Sequence, residues 1–145
     1  MSFIVKNKIL IGYRQDNDNT TVVIPDGIEA IGDRVFRERD KLVSVMIPSS
    51  VKSIGKLAFF GCSSLKSITI PDGVSALEDS VFSYCAELER VVLPKGLKRI
   101  DTYAFGDCVK LREITLPENV EYVCSSAFNN CYITIFSLSK KGFQS

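Results

Sequence analysis

Proline occurs in this chain at Pro25, Pro48, Pro71, Pro94 and Pro117 and nowhere else, a constant interval of 23 residues. The same interval carries Phe36, Phe59, Phe82, Phe105 and Phe128. It also carries Cys62, Cys85, Cys108 and Cys131, with Arg39 in the slot where an earlier cysteine would stand. Aligned apolar columns fill the rest: Leu42, Leu65, Leu88 and Leu111; Val22, Val45, Ile68, Val91 and Ile114; Ile24, Ile47, Ile70, Leu93 and Leu116. Beyond each proline follow Ile28, Val51, Val74, Leu97 and Val120, then Ile31, Ile54, Leu77, Ile100 and Val123. A unit this short cannot bury its own apolar face. Stacked copies bury one shared core, so the pattern dictates a solenoid.

One unit shows how the coil closes. From Leu65, the stretch LKSITIP alternates apolar and polar residues, which predicts a strand with one buried face. Pro71 ends it, because proline cannot donate a ladder hydrogen bond. Gly27, Gly73 and Gly96 stand two residues after their prolines, with Ser50 and Asn119 in the other copies, all turn-prone types. The returning arm, VKSIGKLAFFGC in one copy, spaces its apolar residues by three and four, which predicts a short helical or 3₁₀ turn. Its Phe and Cys point inward before the next strand begins.

The run CSSLKSITIPDGVSALEDSVFSY (62–84) and its later copy CVKLREITLPENVEYVCSSAFNN (108–130) resemble the BspA-like class of leucine-rich repeats. The opening FIVKNKILIGYRQDNDNTTVVIP resembles the hairpin that begins such arrays. The resemblance implies an α/β-type, right-handed, curved solenoid. Short parallel strands would line its inner face, and helical, 3₁₀ or irregular turns its outer arm. The expected organisation is a hairpin cap leading into the first strand (1–24), five 23-residue repeats (25–130), and an atypical last strand with a tail (131–145). RERD at 37–40, with Arg39 for cysteine, marks the first repeat as a divergent edge copy. After Cys131 the phase fails: Thr134 stands where leucine belongs, and Ser137 and Ser139 where the apolar pair belongs. A shifted last strand is expected there. The resemblance further implies a surface or secreted protein that binds host or extracellular-matrix proteins and does not catalyse.

Composition narrows the function classes. The chain's 145 residues suffice for a core without metal or disulfide staples. A net charge of +1 gives no electrostatic footprint for nucleic acid. No apolar run approaches the ~20 residues of a membrane span, so no membrane insertion is expected. MSFIVKNKILIGYRQ lacks the features of a signal peptide. The chain contains no histidine, which removes the commonest general base and metal ligand, so no enzyme and no cofactor are expected. Nor is a metal site, since no CxxC pair exists. DNDN at 16–19 lacks the glycine and closing glutamate of a calcium loop and reads as a hairpin turn. Cysteines one coil apart point the same way rather than at each other, so they are expected as free, buried thiols. Cys124 stands outside that column and is expected near the surface or partly buried, with no assigned role.

What varies between copies is free to specify a ligand. On each strand the outward residues flank the buried Val or Ile. They are Thr21 and Val23, Ser44 and Met46, Ser67 and Thr69, Arg90 and Val92, and Glu113 and Thr115. This strip is the candidate binding face, with Arg90 and Glu113 as an expected cross-strand charge pair. It offers no aromatic platform for sugars or single-stranded nucleic acid. Two roles fit: a non-catalytic protein-interaction or adhesion module, or a spacer segment of a larger cell-surface protein. A monomer is expected.

Overall fold

The computed structural model describes residues 2–15 and 19–138. The Asn/Asp run at 16–19, apart from Asn19, and the tail from Ser139 lie outside the described residues. Strands β1 (Ser2–Lys6) and β2 (Ile9–Arg14) form an antiparallel hairpin. Five coils follow, each with two short strands. They hold β3 (Thr21–Val23) and β4 (Ala30–Ile31), β5 (Ser44–Met46) and β6 (Ser53–Ile54), β7 (Ser67–Thr69) and β8 (Ala76–Leu77), β9 (Arg90–Val92) and β10 (Arg99–Ile100), and β11 (Glu113–Leu116) and β12 (Tyr122–Val123). β13 (Ile135–Leu138) opens a sixth turn of chain.

The odd-numbered strands from β3 to β13 stack side by side as one parallel layer, the strip or first ladder, hydrogen-bonded in the three pairs β3–β5, β7–β9 and β11–β13. β4 to β12 make a second layer, the second ladder, in two bonded groups, β4–β6, which β2 heads by pairing with β4, and β8–β10–β12. The second ladder was hidden in the sequence, because two-residue strands are too short to show alternation. Pairing across the coils keeps the 23-residue register, as in Val22 opposite Val45. The last step is one residue shorter: Ile114 lies opposite Phe136 and Leu116 opposite Leu138.

No helix occurs among the described residues, so the arm is not α/β and not 3₁₀. The physical reason is two columns of left-handed residues. Arg34, Leu57, Ser80 and Tyr103 form one, with φ of 52–61°; Glu38, Gly61, Tyr84, Asp107 and Asn130 form the other, with φ of 58–73°. Single turns close, as in Phe60 N–H to the Leu57 carbonyl at 3.2 Å, but each left-handed residue stops the turn from propagating into a helix. Alternate N–H groups then point to the following coil. Leu57, Phe59 and Gly61 donate to the carbonyls of Asp79, Val81 and Ser83 at 3.0, 2.9 and 2.8 Å. The arm is thus a third hydrogen-bonded ladder.

The core is the set of sequence columns. Phe36, Phe59, Phe82 and Phe105 are fully buried, and their rings stack with Phe128 at centroid spacings of 5.2–5.5 Å and interplanar angles of 4–11°. The column extends one member further than the sequence reading, to Tyr13, 23 residues before Phe36 and 5.0 Å from its ring. The cysteines also do more than fill space. Each thiol donates to the carbonyl of the phenylalanine 26 residues earlier: Cys62 to Phe36, Cys85 to Phe59, Cys108 to Phe82 and Cys131 to Phe105, at 2.8–3.3 Å. Arg39, in the same slot, donates to the Tyr13 carbonyl at 2.7 Å and lies over the Tyr13 ring, which ties the hairpin to the first coil.

One junction is looser than the rest. Between the coil of β5 and β6 and that of β7 and β8, neither ladder is paired. Outer-arm hydrogen bonds, the Lys66 N–H to Val43 carbonyl bond and the Phe59–Phe82 stack cross it. The strip lapses again between β9 and β11, where the second ladder continues.

Candidate functional site

Every strip residue singled out above lies on a strand of the first ladder, flanking a residue that faces the core. Val23, Met46 and Val92 are more than half exposed, while Ser44 is half-buried. Thr21, Ser67, Thr69, Arg90, Glu113 and Thr115 are exposed. Strand alternation causes this: the middle residue of each triplet goes inward, so its neighbours must go outward.

The structure subdivides the strip. β3 pairs with β5, β7 with β9 and β11 with β13, leaving β5 beside β7 and β9 beside β11 without ladder pairing. Ile24 N–H to the Met46 carbonyl and Ile70 N–H to the Val92 carbonyl are 3.0 Å bonds; the equivalent from Ile47 to Thr69 is not made. A shallow cleft of about 510 Å³ opens there, lined by Ser44, Met46, Ser67, Thr69, Pro71 and Asp72 among others. Asp72 is already engaged, its carboxylate accepting from the Lys95 N–H at 3.0 Å. The cleft therefore presents hydroxyls, a thioether, main-chain groups and one carboxylate, that of Asp72.

The expected Arg90–Glu113 pair is not formed: no ion pair joins them, because they stand on the two strands between which the ladder lapses. Charge pairing sits instead at the strip's margin. Glu87 meets Lys110 at 2.8 Å and Lys66 at 3.9 Å. The Lys110 hydrogen bond holds the Glu87 carboxyl below its ordinary range.

The thiols divide by environment. Burial pushes Cys62 up to about 12 and Cys85 well above its ordinary value. A hydrogen bond with Cys131, reinforced by burial, raises Cys108. Two thiols shift downward: Cys131, half-buried rather than buried as expected, through its hydrogen bond with Cys108, and Cys124, which hydrogen bonds from Ser126, and from Thr102 at 3.5 Å, lower to about 7. Among the described residues, no three His, Cys, Asp or Glu side chains are grouped to hold a metal ion, and no helix is long and apolar enough to cross a membrane.

A family model described as the BspA type leucine rich repeat region matches residues 13–140 in six copies. Its first matched residue is Tyr13, the member of the aromatic column that the 23-residue interval alone would have revealed. Among solved structures, a leucine-rich repeat protein from Bacteroides ovatus is similar at 32% identity with a TM-score of 0.82, over 94% of this chain and 39% of that one. The leucine rich repeat protein of T. pallidum is similar at 29% identity with a TM-score of 0.83, over 93% of this chain and 67% of that one. A leucine rich cell surface protein from Faecalibacterium prausnitzii shares the fold at 24% identity and a TM-score of 0.53, over 94% of this chain and 52% of that one. The chain thus spans about two fifths of the Bacteroides ovatus protein's length. No curated protein matches the sequence.

Proposed function

From the premise that the chain belongs to the BspA-type leucine-rich repeat family, we propose that it is a non-catalytic binding module whose partner is a protein docked along the strip. One observation carries this reading. The repeat holds its inward residues nearly constant from coil to coil, while the outward ones change from Thr and Val to Ser and Met, Arg and Val, Glu and Thr. Packing leaves the outward set free, and strands fix its spacing at ~4.8 Å between neighbours. The unpaired β5–β7 cleft, an opening of about 510 Å³ in that face, forms the centre of the proposed contact. Ser44, Met46, Ser67 and Thr69 supply its recognition groups, with Arg90 and Glu113 further along, each free to meet an opposite charge. A cell-surface or secreted setting and an extracellular protein partner belong to the same proposal and rest on the family resemblance. The spacer role is the second reading, favoured by the small share of the Bacteroides ovatus relative that the chain represents.

A binding screen against extracellular-matrix and host surface proteins and glycans, run with the wild type and an Arg90→Glu/Met46→Asp variant, tests the proposal. A hit lost in the variant, whose thermal midpoint stays within a few degrees of wild type, supports the strip. Hits indifferent to the variant reject this face, and the absence of any hit favours the spacer.

A further inference from the structure

The two ends of the solenoid are finished differently. At the start, the β1–β2 hairpin covers the first coil, and its outer strand carries Lys6. At the other end the last turn of chain has nothing over it among the described residues. Its strands β12 and β13 are edges, each paired on one side only. Tyr122, Tyr132, Ile135, Phe136 and Leu138 are all 52–61% exposed there, and Phe128, last of the stacked rings, is only half-buried.

The last stretch of chain also lacks charge, the carboxylates beside it being those of Glu118 and Glu121. Residues 122–139 contain no Asp, Glu, Lys or Arg, a run of 18; the next longest such run, 42–51, has ten. One coil earlier, the equivalent stretch 99–116 carries six charged side chains. A terminal repeat facing water is ordinarily polar, and an exposed edge strand is ordinarily blunted by lysine, proline or a bulge. None of these devices is present on β13.

The open hydrogen-bonding groups have a definite order. Along the outer arm each coil donates forward, so the last leaves the N–H groups of Ser126, Phe128 and Asn130 without described partners. In the second ladder each coil accepts from the next, as Lys98 and Ile100 accept from Glu121 and Cys124. Among the described residues, the last coil therefore leaves the carbonyls of Glu121 and Val123 without partners.

We propose that this apolar end is a self-association surface, and that its occupant is the same end of a second copy of the chain, related by a two-fold axis. Three arguments select a second copy. The run from Tyr122 onward brings no charge of its own to repel a second copy; the carboxylates beside it are those of Glu118 and of Glu121, which is paired with Lys98 at 3.7 Å. β13 begins where the outer arm ends and finishes where the second ladder begins. Setting two β13 strands antiparallel therefore places each copy's outer arm over the other's second ladder. The donors of Ser126, Phe128 and Asn130 then face the acceptors of Glu121 and Val123, and both strand edges are paired. Finally, five half-exposed large side chains at ~100 Å² each give roughly 1,000 Å² for the two copies together, the lower bound for a specific interface. The contact is thus a weak, micromolar-range dimer. It closes at two, because the hairpin-covered end cannot repeat it.

Sedimentation equilibrium on the full chain from about 1 to 500 μM tests this. The expected result is a concentration-dependent monomer–dimer equilibrium. Leu138→Lys and Tyr122→Lys should each weaken it by at least ~tenfold, because each buries a charge at the contact. Ile4→Lys, on the hairpin, should leave it unchanged. The two interface variants stand on different strands, so if circular dichroism shows one to be unfolded the other carries the test. A monomer throughout the range, a dimer that survives both lysines, a dimer abolished by Ile4→Lys, or an open-ended series of larger species each overturns the proposal.

Discussion

Phe82→Ala is the sharpest test of the packing described here. Phe82 has no exposed surface, and its ring lies 5.4 Å from Phe59 and 5.5 Å from Phe105 in nearly parallel planes. Truncating a buried phenylalanine costs ~3–5 kcal/mol through lost transfer energy and the cavity left behind. The upper half of that range applies, because two offset-stacked contacts worth ~0.5–1.5 kcal/mol each disappear together. A domain of this size holds about 7–20 kcal/mol in all, so the variant folds and remains measurable. Phe128→Ala provides the internal reference: its ring is half-buried, stacks on Phe105 alone and meets Phe136 edge-on at 5.7 Å, so roughly half the loss is expected. Urea denaturation followed by far-ultraviolet circular dichroism reads both. For a slope near 2 kcal/mol/M, Phe82→Ala should lower the midpoint by about 2 M. Equal losses for the two variants, or a loss below ~1.5 kcal/mol for Phe82→Ala, would show that the stacked column does not carry the core.

Two further outcomes follow from geometry at single positions. Gly55→Ala should destabilise by ~1–3 kcal/mol in the same assay, since a Cβ there would sit 2.6 Å from the Asp33 amide nitrogen and 2.8 Å from its Cα, backbone atoms that cannot swing aside; an unchanged midpoint contradicts the close approach of those two coils. With iodoacetamide and peptide mapping, Cys124 should label first near neutral pH. Its thiolate is favoured in the folded state, so labelling should slow by ~tenfold per unit as pH falls below about 7. Cys62, Cys85 and Cys108, buried and shifted the other way, should react only on unfolding. Uniform labelling of all five thiols in native protein would refute the assignment.

The sequence was most readable where one residue type recurs under a single steric demand. Pro71 and its equivalents, the phenylalanine column and the strip strands were all visible, because 23-residue periodicity and strict alternation survive side-chain variation. Less readable was anything set by backbone conformation. Leu57, Ser80 and Tyr103 share a left-handed φ although nothing in their chemistry announces it. The sequence pattern therefore suggested a helical arm where hydrogen-bonded turns stand. The β5–β7 cleft was invisible for a related reason: a ladder lapses through a small change in spacing, and Ser44 and Ser67 look like any strand residues. The register step of 22 at Phe136 was foreshadowed by the broken phase after Cys131, and the charge-free last stretch by composition alone.

The junction between the second and third coils has a mechanical consequence. A solenoid whose coils touch only their neighbours bends most easily where the fewest bonds resist. Here both strand ladders are unpaired while the outer arm remains bonded. The arm is therefore the leaf of a hinge, and the strip is the side that gapes. On the strip side the Lys66 N–H to Val43 carbonyl bond, one residue before Ser67 and Ser44, is the backbone bond such bending would strain. A ligand seated across β5 and β7 would splint that hinge, turning a local contact into a change of stiffness along the whole rod.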